Sequence, residues 1–198
     1  TSICGKLVGR HTTENYYATP LSISNTEDGA WEQSNYGIQK VLGEANGYSY
    51  IYGPSFMSSK DCGVSWDTLT NLLVQAAPQG IVQSGERIFL WNNSGAPIFF
   101  SDNNGNSWAE IQLPYDYASC NSFLVSSDTI YFLDKDSNGL FRTFNLGQSW
   151  EEIVHSQNIN QIFWTKKKQL VGLSENSSKG KLFLSTDHGV TFNQTFET

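Results

Sequence analysis

Apolar residues along this chain come in short runs of four to six, and small polar or turn-forming residues separate the runs. One stretch contains, in order, GIVQS (80–84), RIFLW (87–91), IFFS (98–101) and WAEIQL (108–113). Short runs rich in β-branched and aromatic residues predict strands, and Gly85-Glu86 between the first two is a tight-turn signal. The pattern therefore predicts four short antiparallel strands in this stretch, and the two stretches that follow repeat it.

A turn motif recurs in these stretches with a fixed period. The pattern Ser/Thr-x-Asp/Asn-x-Gly-x-x-Trp/Phe begins at four positions that are each 42 residues apart. A degenerate fifth copy, SNTEDGAW, runs from Ser24 to Trp31. A fixed period in this range is typical of repeat architectures, and four strands per repeat is the unit of a β-propeller blade. The defining positions of the motif are Ser59, Asp61, Gly63, Trp66; Ser101, Asn103, Gly105, Trp108; Thr143, Asn145, Gly147, Trp150; and Ser185, Asp187, Gly189, Phe192.

Each defining position has a structural reason. The Asp or Asn side chain can accept hydrogen bonds from backbone N–H groups of a turn, and the glycine supplies the positive φ that such a turn needs. We expect the aromatic residue to open the fourth strand and to pack over the turn or between neighbouring blades. The motif is therefore predicted to be a structural hairpin between the third and fourth strands.

These residues resemble the Asp-box, or BNR repeat, of sialidases, other glycoside hydrolases, sortilin-type receptor domains and photosystem assembly factors of the same propeller class. The resemblance covers nearly the whole chain as a repeat pattern. It implies an all-β propeller in which the Asp-box lies on the rim away from the ligand-binding face. It also implies that the motif carboxylates and amides hold turns and take no part in catalysis or metal binding.

The repeats predict a single propeller domain over residues 1–198, with blades at about 1–34, 35–69, 77–113, 120–155 and 158–198. GKLVGRH (5–11) matches a second strand, which leaves only Thr1–Cys4 for the first strand of that blade. This is too short, and we expect a stunted first blade. A compact five-bladed ring is favoured over a part of a larger propeller, because an open arc would expose strand edges.

Composition excludes several classes of function. The net charge is −7 with only 12 Lys and Arg residues, which argues against a nucleic-acid partner. No apolar run approaches the length of a membrane span, so no membrane insertion is expected. The three cysteines have no metal-ligand spacing, and they are predicted to be free thiols or to form one disulfide. No cofactor or metal site is predicted, and Lys166-Lys167-Lys168 is expected to form an exposed hairpin turn.

Ligands of propellers normally bind the loops opposite such a motif, and the strongest candidate there is PYDYASCN (114–121). Aromatic rings beside a carboxylate suit a sugar, because the apolar face of the sugar stacks on the ring and its hydroxyls donate to the acid. Loops on the same face supply further carboxylates. The predicted ligand-binding residues are Tyr115, Asp116, Tyr117, Asp134, Asp136 and Glu175.

The favoured function is a non-catalytic recognition module that is extracellular or at the cell surface and binds a glycan or a protein. A sialidase-like enzyme is disfavoured because that resemblance implies three clustered arginines. The chain has only Arg10, Arg87 and Arg142, and the last two lie at unsuitable positions. The alternative is another glycoside hydrolase, or a fragment of one, that uses a pair of carboxylates from the loops. A second alternative is an assembly or scaffold propeller, and the oligomeric state stays open.

Overall fold

The computed structural model describes residues 39–53, 55–69, 78–92, 97–115, 120–134, 137, 139–153, 158–176 and 179–197. For residues 2–3, 6–10, 20–24 and 32–37 it describes the backbone only. All regular elements in these ranges are β-strands. The chain divides into two compact units. Unit 1 comprises Thr1–Trp91 and Phe99–Ala109, and unit 2 comprises Asn92–Ile98 and Glu110–Thr198.

The strands of the described residues form five four-stranded sheets, and the strands of each sheet follow one another in chain order. The first sheet contains β1 (Ser2–Ile3), β2 (Lys6–Arg10), β3 (Pro20–Ser24) and β4 (Glu32–Gly37). The second contains β5 (Lys40–Ala45), β6 (Tyr48–Tyr52), β7 (Phe56–Ser59) and β8 (Asp67–Thr68). The third contains β9 (Gly80–Ser84), β10 (Arg87–Trp91), β11 (Ile98–Ser101) and β12 (Ala109–Ile111). The fourth contains β13 (Cys120–Ser126), β14 (Thr129–Asp134), β15 (Leu140–Thr143) and β16 (Glu151–Ile153). The fifth contains β17 (Gln161–Trp164), β18 (Leu170–Asn176), β19 (Lys179–Ser185) and β20 (Asn193–Glu197).

The middle strands are buried on both faces, which explains their continuous apolar runs. The central residues of β10 are all buried, and so are those of β14 from Ile130 onward. The fourth strands β12 and β16 instead bury only their last residue. A strand needs apolar side chains at successive positions where both faces of its sheet are covered, whereas an outer strand does not.

Each unit has its own apolar core. In unit 1, Tyr50 and Phe56 of the second sheet pack with Ile88 and Leu90 of the third sheet. The core of unit 2 joins the fourth and fifth sheets and contains Tyr131, Leu133, Leu140, Ile153, Ile159, Ile162, Leu170, Phe183 and Phe192. Neighbouring sheets in a unit therefore pack face to face through their apolar side chains.

The four-stranded antiparallel unit predicted from the sequence is confirmed, with two corrections. The prediction that Thr1–Cys4 are too few for a first strand was wrong, because Ser2–Ile3 form β1 and pair with Leu7 and Lys6 of β2. The motif aromatic residues do not open the fourth strands, which begin one residue later. The degenerate motif copy lies outside the described residues except for Ser24.

Every described sheet has two distinct ends, because its strands run antiparallel in chain order. The turn end carries the hairpin between the first and second strands and the motif hairpin between the third and fourth. Lys166-Lys167-Lys168 lies in one of the former hairpins and is exposed, as predicted. The loop end is the opposite end, where the first and third strands begin and the second and fourth strands finish.

Candidate functional site

The acidic side chains of the turn motif are occupied by the turn itself. Ser59 Oγ donates to Asp61 Oδ1 at 2.8 Å and accepts from the backbone N–H of Gly63 at 2.8 Å. The Asp61 carboxylate also accepts from the backbone N–H and the hydroxyl of Ser65, at 2.8 and 2.6 Å. The copy at Asp187 makes the same set of bonds. The copies at Asn103 and Asn145 share it except that the amide nitrogen donates to the hydroxyl of Ser107 or Ser149. These residues therefore hold the hairpin together.

The two motif carboxylates predict a specific acid sensitivity. Hydrogen bonds lower the pKa values of Asp61 and Asp187 to about 2. The largest contribution comes from the Ser65 side chain at Asp61 and from the Thr191 side chain at Asp187. A group whose pKa is depressed by folding contributes stability above its ordinary pKa and loses it as the pH falls through the folded value. We expect the Asp61→Asn/Asp187→Asn variant to lose less stability than the wild type between about pH 4 and about pH 2.

Urea unfolding at a series of pH values measures this difference. Asparagine already fits the motif at positions 103 and 145, where its amide donates to Ser107 and Ser149. The substitutions should therefore preserve the fold at neutral pH. An unchanged acid profile in the double variant would contradict the assignment.

Three of the motif glycines, Gly105, Gly147 and Gly189, pack against the fourth-strand region of the preceding sheet in the same unit. A Cβ added to Gly147 would lie 2.3 Å from Cγ2 of Ile111, and one added to Gly189 would lie 3.1 Å from Cδ1 of Ile153. In unit 1, a Cβ on Gly105 would lie 3.0 Å from Cδ1 of Leu69. The contacted residues Leu69, Ile111 and Ile153 are themselves 42 residues apart. The motif thus docks one sheet onto the next.

Buried tyrosines reinforce this docking. The Tyr131 hydroxyl donates to the carbonyl oxygen of His188 at 3.2 Å, and Tyr50 makes the corresponding bond to Asn104 at 3.3 Å. In unit 2 the Arg142 guanidinium also donates to the carbonyl oxygen of His188, at 2.9 Å, while it pairs with Glu151 at 2.7 Å. The turn end of each unit is therefore a structural surface.

Tyr115, one of the predicted ligand-binding residues, is exposed at the loop end of unit 2. Tyr115 follows the third sheet and is 42% exposed. Its ring meets the Phe141 ring edge-on, with centroids 5.7 Å apart, and its hydroxyl lies 3.4 Å from Ser137 Oγ. Phe141 is itself buried on β15. Tyr115 therefore stands on a rigid support with a hydroxyl group beside it.

Asp134 lies beneath this surface and is 1% exposed. Its Oδ2 accepts from both the backbone N–H and the hydroxyl of Ser137, at 2.6 and 2.7 Å. Asp134 N–H also donates to the carbonyl oxygen of Gly139, which closes the turn between β14 and β15. The carboxylate therefore positions Ser137, and Ser137 in turn contacts Tyr115.

Of the remaining predicted site residues, only Glu175 lies within the described ranges. Glu175 lies exposed on β18, where its backbone carbonyl accepts from the Asn160 amide at 3.1 Å. Asp116, Tyr117 and Asp136 lie outside the described residues.

The loop end of unit 1 contains a contact that sequence reasoning missed. Lys40 Nζ donates to Gln79 Oε1 at 2.6 Å, where β5 and β9 begin. Both side chains are only partly exposed. A single lysine and a single glutamine, 39 residues apart, carry no recognisable sequence signal.

The cysteines fall into two classes. Cys62 is disulfide-bonded, and its partner lies outside the described residues. Cys120 is a buried free thiol whose pKa is raised by burial and by the neighbouring Asp134 carboxylate. The described ranges hold no group of three or more His, Cys, Asp and Glu side chains placed to bind a metal. They also contain no helix long and apolar enough to cross a membrane.

Five four-stranded antiparallel sheets in chain order define an all-β protein of the β-propeller class, built from four-stranded blades. The sequence model of the DUF6242 beta propeller domain matches residues 65–197, which is more than half of the 198 residues. The chain belongs to that family. No curated protein matches the sequence.

Solved structures of low sequence identity share the fold. YCF48 bound to D1 peptide is similar with a TM-score of 0.63 and 14% identity, over 89% of this chain and 60% of that one. The GH74 enzyme of Niastella koreensis is similar with a TM-score of 0.57 and 18% identity, over 96% of this chain and 29% of that one. Virginiamycin B lyase from Staphylococcus aureus is similar with a TM-score of 0.62 and 16% identity, over 95% of this chain and 69% of that one.

Proposed function

We propose that this propeller is a non-catalytic recognition module that binds a glycan at the loop end of unit 2. One observation carries the proposal. Tyr115 is a large aromatic side chain that is 42% exposed and held by Phe141 and Ser137. An exposed ring on a rigid support is the surface on which the apolar face of a sugar stacks, and an adjacent hydroxyl can bond a sugar hydroxyl.

The environment of Asp134 favours recognition over hydrolysis. Glycoside hydrolysis requires two carboxyl groups on either side of the scissile bond. Asp134 is buried, and Ser137 supplies two donors to one of its oxygens. It therefore supports the surface instead of facing a substrate. The likeness to a GH74 enzyme at 18% identity concerns the fold alone.

Two further features of the proposal follow from the turn end. We take the four motif copies to be Asp-boxes in their structural role, supported by the recurring bonds between the hydroxyl residue and the Asp or Asn. We place the protein outside the cell or at its surface, supported by the disulfide at Cys62, since disulfides persist in oxidising compartments.

Replacement of Tyr115 tests the proposal. We expect the wild type to bind a subset of a glycan array, and we expect Tyr115→Ala to lose about 2 kcal/mol of binding free energy, a roughly 30-fold weaker affinity. Tyr115→Phe keeps the ring and should retain most of the binding.

Phe144→Ala is the matched control, because Phe144 is an exposed aromatic residue in a motif turn of the same unit, at 55% exposure. It should bind like the wild type. A blank array for the wild type, or binding that is unchanged in Tyr115→Ala, would overturn the proposal. Capture of a peptide in place of a glycan would redirect it toward protein recognition.

A further inference from the structure

The fifth sheet has one covered face and one open face. Ile162, Leu170 and Phe183 belong to the core of unit 2 and cover the first of these faces. Successive side chains of a strand point to opposite faces, so their neighbours along each strand lie on the other side. That open face consists of five apolar residues: Phe163 at 40% exposure, Phe196 at 54%, and the partly exposed Leu173, Leu182 and Leu184. An exposed apolar patch of this size marks an interaction surface.

Phe196 occupies the position at which other sheets receive a motif glycine. Ile153 ends a row of paired residues across β14, β15 and β16, and Phe196 ends the corresponding row across β18, β19 and β20. Ile153 packs against Gly189 of the next sheet and is 5% exposed. Ile111 packs in the same way against Gly147 and is 1% exposed. The open face is therefore the continuation of an interface that the repeats already form.

The chemistry of the open face is apolar throughout its centre. Val171 takes the place that Tyr131 has in the fourth sheet, one residue after the partner of the first motif position. Tyr131 donates its hydroxyl to the motif turn of the next sheet, and Val171 has no hydroxyl to donate. A partner of this face is therefore held by apolar packing.

The close approach at this interface requires glycine in the partner. A Cβ added to Gly189 would lie 3.1 Å from Cδ1 of Ile153, which leaves no room for a longer side chain. The degenerate motif copy at 24–31 has Asp28 at the glycine position. A charged side chain does not suit contact with Phe196, because burial of an unpaired charge is costly. An intact motif is thus the better match for the open face.

Propellers of this fold are long enough to contain such a partner. The part that matches this chain is 60% of YCF48 and 69% of virginiamycin B lyase. Residues 1–198 already hold five four-stranded sheets. Both solved chains therefore have length for more sheets than five.

We propose that the open face of the fifth sheet is a docking surface for a further four-stranded sheet of the same propeller, one that carries an intact turn motif. The motif glycine of that sheet packs on Phe196, and its apolar side chains cover Leu173 and Leu182. This arrangement favours a part of a larger propeller over the closed five-bladed ring that the sequence favoured. The docking surface is independent of the proposed glycan site at Tyr115.

Phe196→Asp in the 198-residue chain tests whether the face is open. We expect the urea midpoint of unfolding to change by less than about 0.3 M, because an exposed residue contributes little to stability. Ile153→Asp is the matched comparison, since it changes the same position of the repeat where a glycine is docked. It should lower the midpoint by more than about 1 M.

Two results of this experiment would overturn the proposal. A loss in Phe196→Asp as large as that in Ile153→Asp would show that residues 1–198 cover the face themselves. A dimer in sedimentation that dissociates in Phe196→Asp would show that a second copy of the chain covers it.

An added sheet tests the partner directly. A second copy of residues 156–198, fused after Thr198, brings an intact motif to the spacing that the fourth and fifth sheets have. We expect the fusion to raise the urea midpoint of the original fifth sheet by at least about 0.5 M and to protect Phe196 from hydroxyl-radical labelling.

Phe196→Asp in the original copy should remove this gain. Val190→Asp in the original copy is the matched control, because Val190 is also an exposed apolar residue of the fifth sheet but lies in its motif turn. It should keep the gain. A fused copy that forms its strands but leaves the midpoint and the labelling of Phe196 unchanged would overturn the docking surface.

Discussion

Gly147→Ala is expected to lower the free energy of unfolding of unit 2 by about 3 kcal/mol. Gly147 has a φ of +81°, which costs an L-residue about 1 kcal/mol. The added Cβ would also lie 2.3 Å from Cγ2 of Ile111 and 3.2 Å from the carbonyl oxygen of Gln112. Ile111 is buried, so relief of the contact requires either its strand or the motif turn to move. Urea unfolding followed by tryptophan fluorescence measures the loss.

Two other glycines separate backbone strain from crowding. Gly85 has a φ of +62° and nothing within 4 Å of an added Cβ, so Gly85→Ala should cost only about 1 kcal/mol. Gly189, with a φ of +89° and contacts of 3.1 Å, should fall between the two. Equal losses at the three positions would show that φ alone is responsible and that the motif does not dock onto the preceding sheet.

Tyr131→Ala is expected to destabilise unit 2 by about 4 kcal/mol, as truncation of a buried aromatic residue does. Tyr131 is fully buried, meets Trp164 edge-on with centroids 5.4 Å apart, and donates its hydroxyl to His188. Tyr131→Phe removes only the hydroxyl and should cost about 1 kcal/mol. Thermal and urea unfolding of both variants measure the two contributions.

Tyr115→Ala provides the comparison on the exposed side of the same unit. Because Tyr115 is half-exposed and lies at the loop end, its loss should change stability by less than about 1 kcal/mol. A small effect of Tyr131→Ala, comparable with that of Tyr115→Ala, would contradict the packing of the fourth and fifth sheets described above.

The period of the chain is what made the fold predictable. The apolar runs at 80–84, 87–91 and 98–101 coincide with β9, β10 and β11, and the turn motif occupies the hairpin for which its residues are suited. Strand pairing is local in every sheet, so short-range signals were sufficient. The prediction of exactly five blades, and of a closed ring, stays a prediction.

Contacts between repeats could not be predicted from the sequence. The positive φ of Gly147 followed from the turn, but its contact with Ile111 depends on how closely two sheets approach. The same holds for the motif tryptophans. Trp66 and Trp108 donate to the carbonyl oxygen of their own motif glycine, whereas Trp150 donates to Gln112 of the preceding repeat at 2.8 Å. Identical motif positions thus take different partners.

The candidate site stays a prediction. Tyr115 is an exposed aromatic residue at the loop end, and its role in binding is for the glycan experiments to decide. Asp134 was selected as a polar loop residue, but it ends β14 and is buried, because the turn that follows needs an acceptor for the N–H and hydroxyl of Ser137. The contact between Lys40 and Gln79 could not be predicted, because it depends on how two sheets pack.

The central claim is that the Tyr115 ring is a surface for a sugar, and the NMR spectrum of a bound glycan tests it most directly. With a ligand selected from the array, saturation of the protein should transfer to the ring protons on one face of a single sugar, and those protons should shift upfield under the Tyr115 ring. Both effects should persist in Tyr115→Phe and disappear in Tyr115→Ala. Transfer and shifts that survive in Tyr115→Ala would contradict the account.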